Sequence, residues 1–403
     1  MRLGYIWLGA AVILCGCQEK LTAPGDCPAL CPGGAPQVLD EVLSPIPGTD
    51  SSFSGYVQPY MSAALLVSNG LLGYEERAIV RFPPRNDSVS VRDTLRGYTI
   101  DSVAFDLTIV ARDTTRPGLQ VQLYRLPPLM DSTTSYSQVD PAFVPENLVA
   151  TIAVPDTLKT GGIRTVLQGS DLARVAIAPA DGGVLALGVR IDAPAPTGIR
   201  LGAAASGSGG VFLTYATLDV PDTGTAKLTT FPLTPTFNSS LPAVQQTEDP
   251  ALLVVGGAPA ARTLLRFELP PRIRDSATIV RATLELTPVA PIPGLPTDPA
   301  RLRARAVLAD LGAKSPVQSQ FGVAADTVEA GTGDVVGIEI VRLMQQLWLS
   351  TSTGPTALVL SLAPELEAAS FSRLVFYSTR AVDPGVRPRL RVSYLLSFPF
   401  ENP

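Results

Sequence analysis

The chain has 403 residues, with 38 prolines, 34 glycines, four cysteines, no histidine and a formal net charge of −5. The lack of histidine excludes Ser-His-Asp and Cys-His catalysis and histidine-ligated zinc, copper or iron. A mildly acidic chain without basic runs offers no electrostatic footprint for nucleic acid.

At the start, Arg2 precedes an apolar run from Leu3 to Leu14. That length suits the hydrophobic region of an export signal and is too short to cross a bilayer as a helix. The run ends in Leu14-Cys15-Gly16-Cys17, which resembles the bacterial lipobox: an aliphatic residue three before the cysteine and a small one beside it. The resemblance implies a signal peptide over 1–16, lipid on Cys17 and attachment to a membrane through that lipid. Gln18 in place of Asp implies, by the enterobacterial sorting pattern, an outer-membrane lipoprotein facing the periplasm or the cell surface. Residues 17–50 are rich in Pro, Gly, Ser and Asp and are read as lipid anchor and flexible tether. Within them, Cys27 and Cys31 of C-P-A-L-C cannot close a zinc site alone; a small disulfide loop is expected in an oxidising compartment, the alternative being two free thiols.

Beyond the tether the chain repeats itself. Val57-Gln58, Ala64 to Val67 and Gly70 match Val244-Gln245, Ala251 to Val254 and Gly257. Arg77 to Phe82 matches Arg262 to Phe267, and Ala104 to Thr108 matches Thr283 to Thr287. Arg200-Leu201 with Ser206 match Arg373-Leu374 with Thr379, and Val211 to Tyr215 matches Leu390 to Tyr394. The spacing predicts a tandem duplication with units at 51–219 and 226–397. Each unit alternates as strands do: Val103, Phe105, Leu107 and Ile109 are apolar while Asp106 and Thr108 face the other way. Runs of this kind between Pro, Gly, Asp and Ser clusters predict an all-β fold, two tandem β-sandwich domains. One segment breaks the pattern. Ile340, Leu343, Met344, Leu347 and Trp348 make the stripe of a short amphipathic helix, which predicts that Trp348 packs in the core, the alternative being an exposed stacking platform for a sugar ring.

The second unit resembles the DNRLRE-type domain, a jelly-roll module of prokaryotic surface proteins related to carbohydrate-binding modules. The resemblance lies in L-L-V-V-G-G, R-T-L-L-R-F-E-L-P, I-V-R-A-T-L-E-L-T, the helical turn at Trp348, the run Gly354 to Leu362 and the closing V-R-P-R-L-R-V-S-Y. It covers most of 244–394 and the first unit more loosely, because that unit lacks the tryptophan and the R-P-R-L ending. It implies tandem jelly-roll-like sandwiches, display outside the cell and, in some members, polysaccharide binding.

Tyr56, Tyr60, Tyr74 and Tyr98 crowd the start of the first unit and either line a groove or pack at strand edges. Arg301, Arg303 and Arg305 alternate with Leu302 and Ala304, either gripping anionic groups or forming a solvated outer face. Arg77, Arg81, Arg262 and Arg266 belong to the same class. Glu75-Glu76 and Glu248-Asp249 are adjacent acidic pairs that a carboxylate-based enzyme could use, and neither sits in a catalytic motif. No D-x-D-x-D-G loop marks a calcium site, although loop carboxylates of a jelly roll can hold structural calcium; no other cofactor is expected. These features together predict a non-enzymatic lipoprotein whose sandwiches bind a polymer, foremost polysaccharide. The alternative is a structural or adhesive lipoprotein that meets a surface protein, with a polysaccharide-cleaving enzyme as a remote third reading.

Overall fold

In the computed structural model, residues 37–396 are described, apart from 87, 92, 177–181, 204–212, 221–227, 230–232, 245–248, 250, 321–322 and 351–353. The chain is all-β, built from antiparallel sheets that form two sandwich-like halves. A first series of strands comprises β1 (Val38–Leu43), β2 (Ser51–Ser54), β3 (Ala64–Asn69), β4 (Glu76–Arg81), the hairpin β5 (Ser88–Val91) and β6 (Thr94–Gly97), and β7 (Thr99–Arg112). It continues with β8 (Gln120–Arg125), β9 (Leu148–Ala153), β10 (Gly161–Gln168), β11 (Ala186–Asp192), β12 (Thr197–Gly202) and β13 (Leu213–Asp219). The second series runs β14 (Leu228–Thr229), β15 (Phe237–Pro242), β16 (Leu252–Gly256), β17 (Ala261–Arg266), β18 (Ala277–Leu286) and β19 (Ala300–Ala306). It ends with β20 (Ala324–Val328), β21 (Val336–Glu339), β22 (Ala357–Leu362), β23 (Arg373–Tyr377) and β24 (Arg389–Leu396).

The second series repeats the pairing of the first. β11 lies between β4 and β8, with β9 beyond; β22 lies between β17 and β19, with β20 beyond. β12 pairs with β3 as β23 does with β16, and β7 lies between β10 and β13 as β18 does between β21 and β24. Arg77 to Arg81 and Arg262 to Arg266 therefore occupy equivalent strands, β4 and β17. The alternation read from the sequence is the alternation of the fold. Val103, Phe105, Leu107 and Ile109 are buried, as are Ala282, Leu284 and Leu286 in β18. Each half has its own core, around Leu65, Val80, Phe105 and Val189 in one and Leu253, Leu265, Leu284 and Leu360 in the other. Full burial of such a side chain stabilises by roughly 1.5–3 kcal/mol.

The halves do not coincide with 51–219 and 226–397. β1 pairs with β24 over Val38↔Leu395 to Leu43↔Leu390, and β2 pairs with β17 over Ser51↔Leu264 to Ser54↔Ala261. Conversely, β14 pairs with β13, and β15 pairs with β4 over Phe237↔Arg81 to Pro242↔Glu76. The leading strands of each series thus complete the half built by the other. Val38–Leu43 also corrects the tether expected over 17–50, since those residues form an edge strand. The sequence conceals it because Glu41 occupies the inward parity shared by Leu39 and Leu43; Arg272 meets its carboxylate in a bidentate pair at 2.6 and 3.1 Å.

The expected helix is one short helical segment, α-helical over Val341–Leu343 and π-helical over Met344–Trp348. Trp348 is buried and its ring lies 5.7 Å from that of Phe267, so it serves the core.

Candidate functional site

A groove of about 520 Å³ opens where segments of both series meet. Its boundaries include Gln58 to Tyr60, the turn and short helix of Ser132 to Ser137, and β15 with its continuation, Ser239 to Ala243. Local hydrogen bonds brace the 132–137 wall. Asp131 Oδ1 accepts the Thr133 N–H at 2.8 Å, Thr134 Oγ1 accepts the Asp131 N–H at 3.0 Å, and Gln138 Oε1 accepts the Ser135 N–H at 2.7 Å. This segment reaches the site because Met130, Val139 and Phe143 cover the outer face of β4 and β11, packing with Ile79 and Leu126.

Two tyrosines open on the groove. Tyr60 is 37 % exposed, and its ring is stacked on Phe237 with centroids 6.4 Å apart. Tyr136 is held from behind: its hydroxyl donates to Glu75 Oε2 at 3.0 Å, and the Arg77 guanidinium lies 4.6 Å from its ring centre. Arg77 in turn donates to Glu75 at 2.8 Å and to Asp140 at 2.6 Å. Partial burial works against the Glu75 carboxylate, but hydrogen bonds from Arg77 and Tyr136, with the charges of Arg77 and Arg190, outweigh it and hold its pKa below the usual value. Burial pushes the Tyr136 hydroxyl up to about 12, so it stays protonated and keeps donating to Glu75. An aromatic pair beside a wall of serine and threonine hydroxyls can stack on a sugar ring and hydrogen-bond its substituents. Beside the equivalent strand pair of the second half, Phe53 and Tyr56 pack near Arg262, and the space is closed to about 10 Å³.

Of the residues expected from the sequence, Tyr60 alone lines this groove. Tyr56 is on the second half: its hydroxyl donates to the Ala313 carbonyl, and Arg262 lies 4.4 Å from its ring centre. Arg301, Arg303 and Arg305 project from the outer face of β19 while Leu302 and Ala304 enter the core. Arg301 donates to Glu365 at 3.3 Å and Arg305 to Ser361 Oγ at 3.3 Å. The remaining arginines are occupied structurally: Arg262 by a bidentate pair with Glu367 at 2.8 Å, Arg266 with Asp310, and Arg81 on the Met130 carbonyl. Glu75 and Glu76 are not brought together, because Glu76 follows the inward parity of Ala78 and Val80. Asp249 caps the Ala251 N–H at 2.8 Å, whereas Glu248 lies outside the described residues. So do Cys17, Cys27 and Cys31. Among the described residues no group of three His, Cys, Asp or Glu side chains is placed to hold a metal ion, and no helix is long and apolar enough to cross a membrane.

Tyr136 is the residue the sequence reading missed. Its signal was the hydroxyl-rich run D-S-T-T-S-Y-S at 131–137, which looks like an ordinary loop until the fold sets it against β15. No family profile matches the chain, and no curated protein matches it.

Proposed function

We propose that this is a lipid-anchored, extracytoplasmic binding protein that holds a polysaccharide chain in the Tyr60–Tyr136 groove without cleaving it. The observation that carries the reading is the convergence of the exposed Tyr60, the half-buried Tyr136 and a hydroxyl-lined wall on one open groove of about 520 Å³. Sugar rings present flat C–H faces and a rim of hydroxyls, and the groove presents the complementary surfaces. The likeness of the quoted motifs to the DNRLRE-type jelly roll and the lipobox-like Leu14 to Cys17 agree with display on an outer membrane.

The test is retention of the full chain, carrying Cys17→Ser to keep it unlipidated, on gels containing neutral and acidic polysaccharides. Retention on at least one polymer is expected. Tyr60→Ala and Tyr136→Ala should each weaken it about tenfold, roughly 1.4 kcal/mol. Absence of retention on every polymer, or unchanged retention in the double variant, would overturn the reading.

A further inference from the structure

The two series of strands are joined covalently through residues 221–227, yet their hydrogen bonding is reciprocal. The same contacts are made twice. The Ser52 hydroxyl accepts the Val254 N–H at 2.8 Å, and the Ser240 hydroxyl accepts the Leu66 N–H at 2.7 Å. The Ile46 N–H donates to the Arg266 carbonyl at 2.8 Å, and the Thr236 N–H donates to the Arg81 carbonyl at 2.8 Å. Each pair joins a leading strand, or the chain beside it, to the half assembled by the other series. The N-terminal exchange is also secured by charge. Asp50 is buried, and its carboxylate accepts the Thr379 N–H at 2.9 Å, with Arg380 3.6 Å away.

A strand lost from such a place leaves a row of unpaired backbone groups and an open core edge, both of which are costly. Neither half can supply the missing strands itself, since its own leading strands are committed across the seam. The groove depends on the same exchange, because β15 comes from the second series and Tyr60 and Tyr136 from the first. Direct docking adds to it: Arg200 donates to Asp298 at 2.6 Å, with both side chains largely buried.

We infer that reciprocal strand exchange, and not the peptide connection at 221–227, holds the two halves together, making the chain one interlocked unit instead of two modules in tandem. The inference stands independently of what the groove binds.

Replacing residues 221–227 with a site-specific protease sequence allows the full chain to be cut after folding. The two fragments are expected to co-elute at the volume of the uncut protein, keep a single thermal transition and part only in denaturant. Fragments that separate in native buffer would overturn the inference. A second variant reads the geometry directly. Val42 and Arg391 are solvent-facing partners on β1 and β24. With the native cysteines changed to serine, Val42→Cys and Arg391→Cys should oxidise to a disulfide within one molecule. After cleavage at 221–227 a non-reducing gel should then show one band. Two bands would mean that β1 is not on β24, and a dimer before cleavage would mean that the exchange is between copies; either result defeats the proposal.

Discussion

The ring of Phe371, in the second half, lies directly over Gly198 of β12 in the first; a Cβ built on Gly198 would sit 2.9 Å from Phe371 Cζ. This contact is part of the seam, where Leu66, Ala111, Leu295 and Phe371 are buried together. Gly198→Ala should therefore overpack the seam and destabilise the protein by about 1–3 kcal/mol. Combining it with Phe371→Leu should recover part of that loss, giving a non-zero coupling in a denaturant double-mutant cycle. Additive losses would show that the two residues do not meet.

Ser52 and Ser240 offer a symmetric test of the exchanged strands. Each accepts a backbone N–H from the neighbouring strand, and alanine would leave that N–H without its partner. Ser52→Ala and Ser240→Ala should each cost about 1–3 kcal/mol, read from chemical denaturation. In one interlocked unit both should shift the same transition. If each moved a separate transition, the halves would be unfolding independently.

Trp348 packs on Phe267 within the second core, and its indole N–H has no hydrogen-bond partner among the described residues. Its contribution is accordingly apolar. Trp348→Ala should cost about 3–5 kcal/mol, and Trp348→Phe distinctly less. Equal losses from the two substitutions would argue against a packing role.

Glu76 gives a pH signature. Buried in the first half with Oε1 unpartnered, its carboxyl is pushed up to about 8 by desolvation, from an ordinary 4.5. Because the folded state holds this proton more tightly than the unfolded state, its contribution is fully present below pH 4.5. That contribution is lost as pH rises through about 8. Stability should fall between those limits, and Glu76→Gln should flatten the slope and raise the denaturation midpoint at pH 8. A variant with the wild-type slope would assign the titration to another group.

Local pattern in the sequence was enough to establish the all-β class, the repeated strands and the inward and outward faces of β7, β18 and β19. Period-two alternation is a property of each strand by itself, so Phe105 declares a core position and Arg303 an outer one before any neighbour is known. The helical stripe ending at Trp348 was legible for the same reason. Strand partnership was not. β1 and β2 occupy the same places in one half as β14 and β15 do in the other, so local pattern fits either assignment; packing and chain connection decide between them. Glu41 hid β1 further, because an inward carboxylate looks like a break in the pattern until Arg272 is beside it. The groove was beyond reach for a related reason. Tyr60, Tyr136 and Ser239 carry no shared sequence signal, and they meet only because a strand from the second series forms part of a site in the first half.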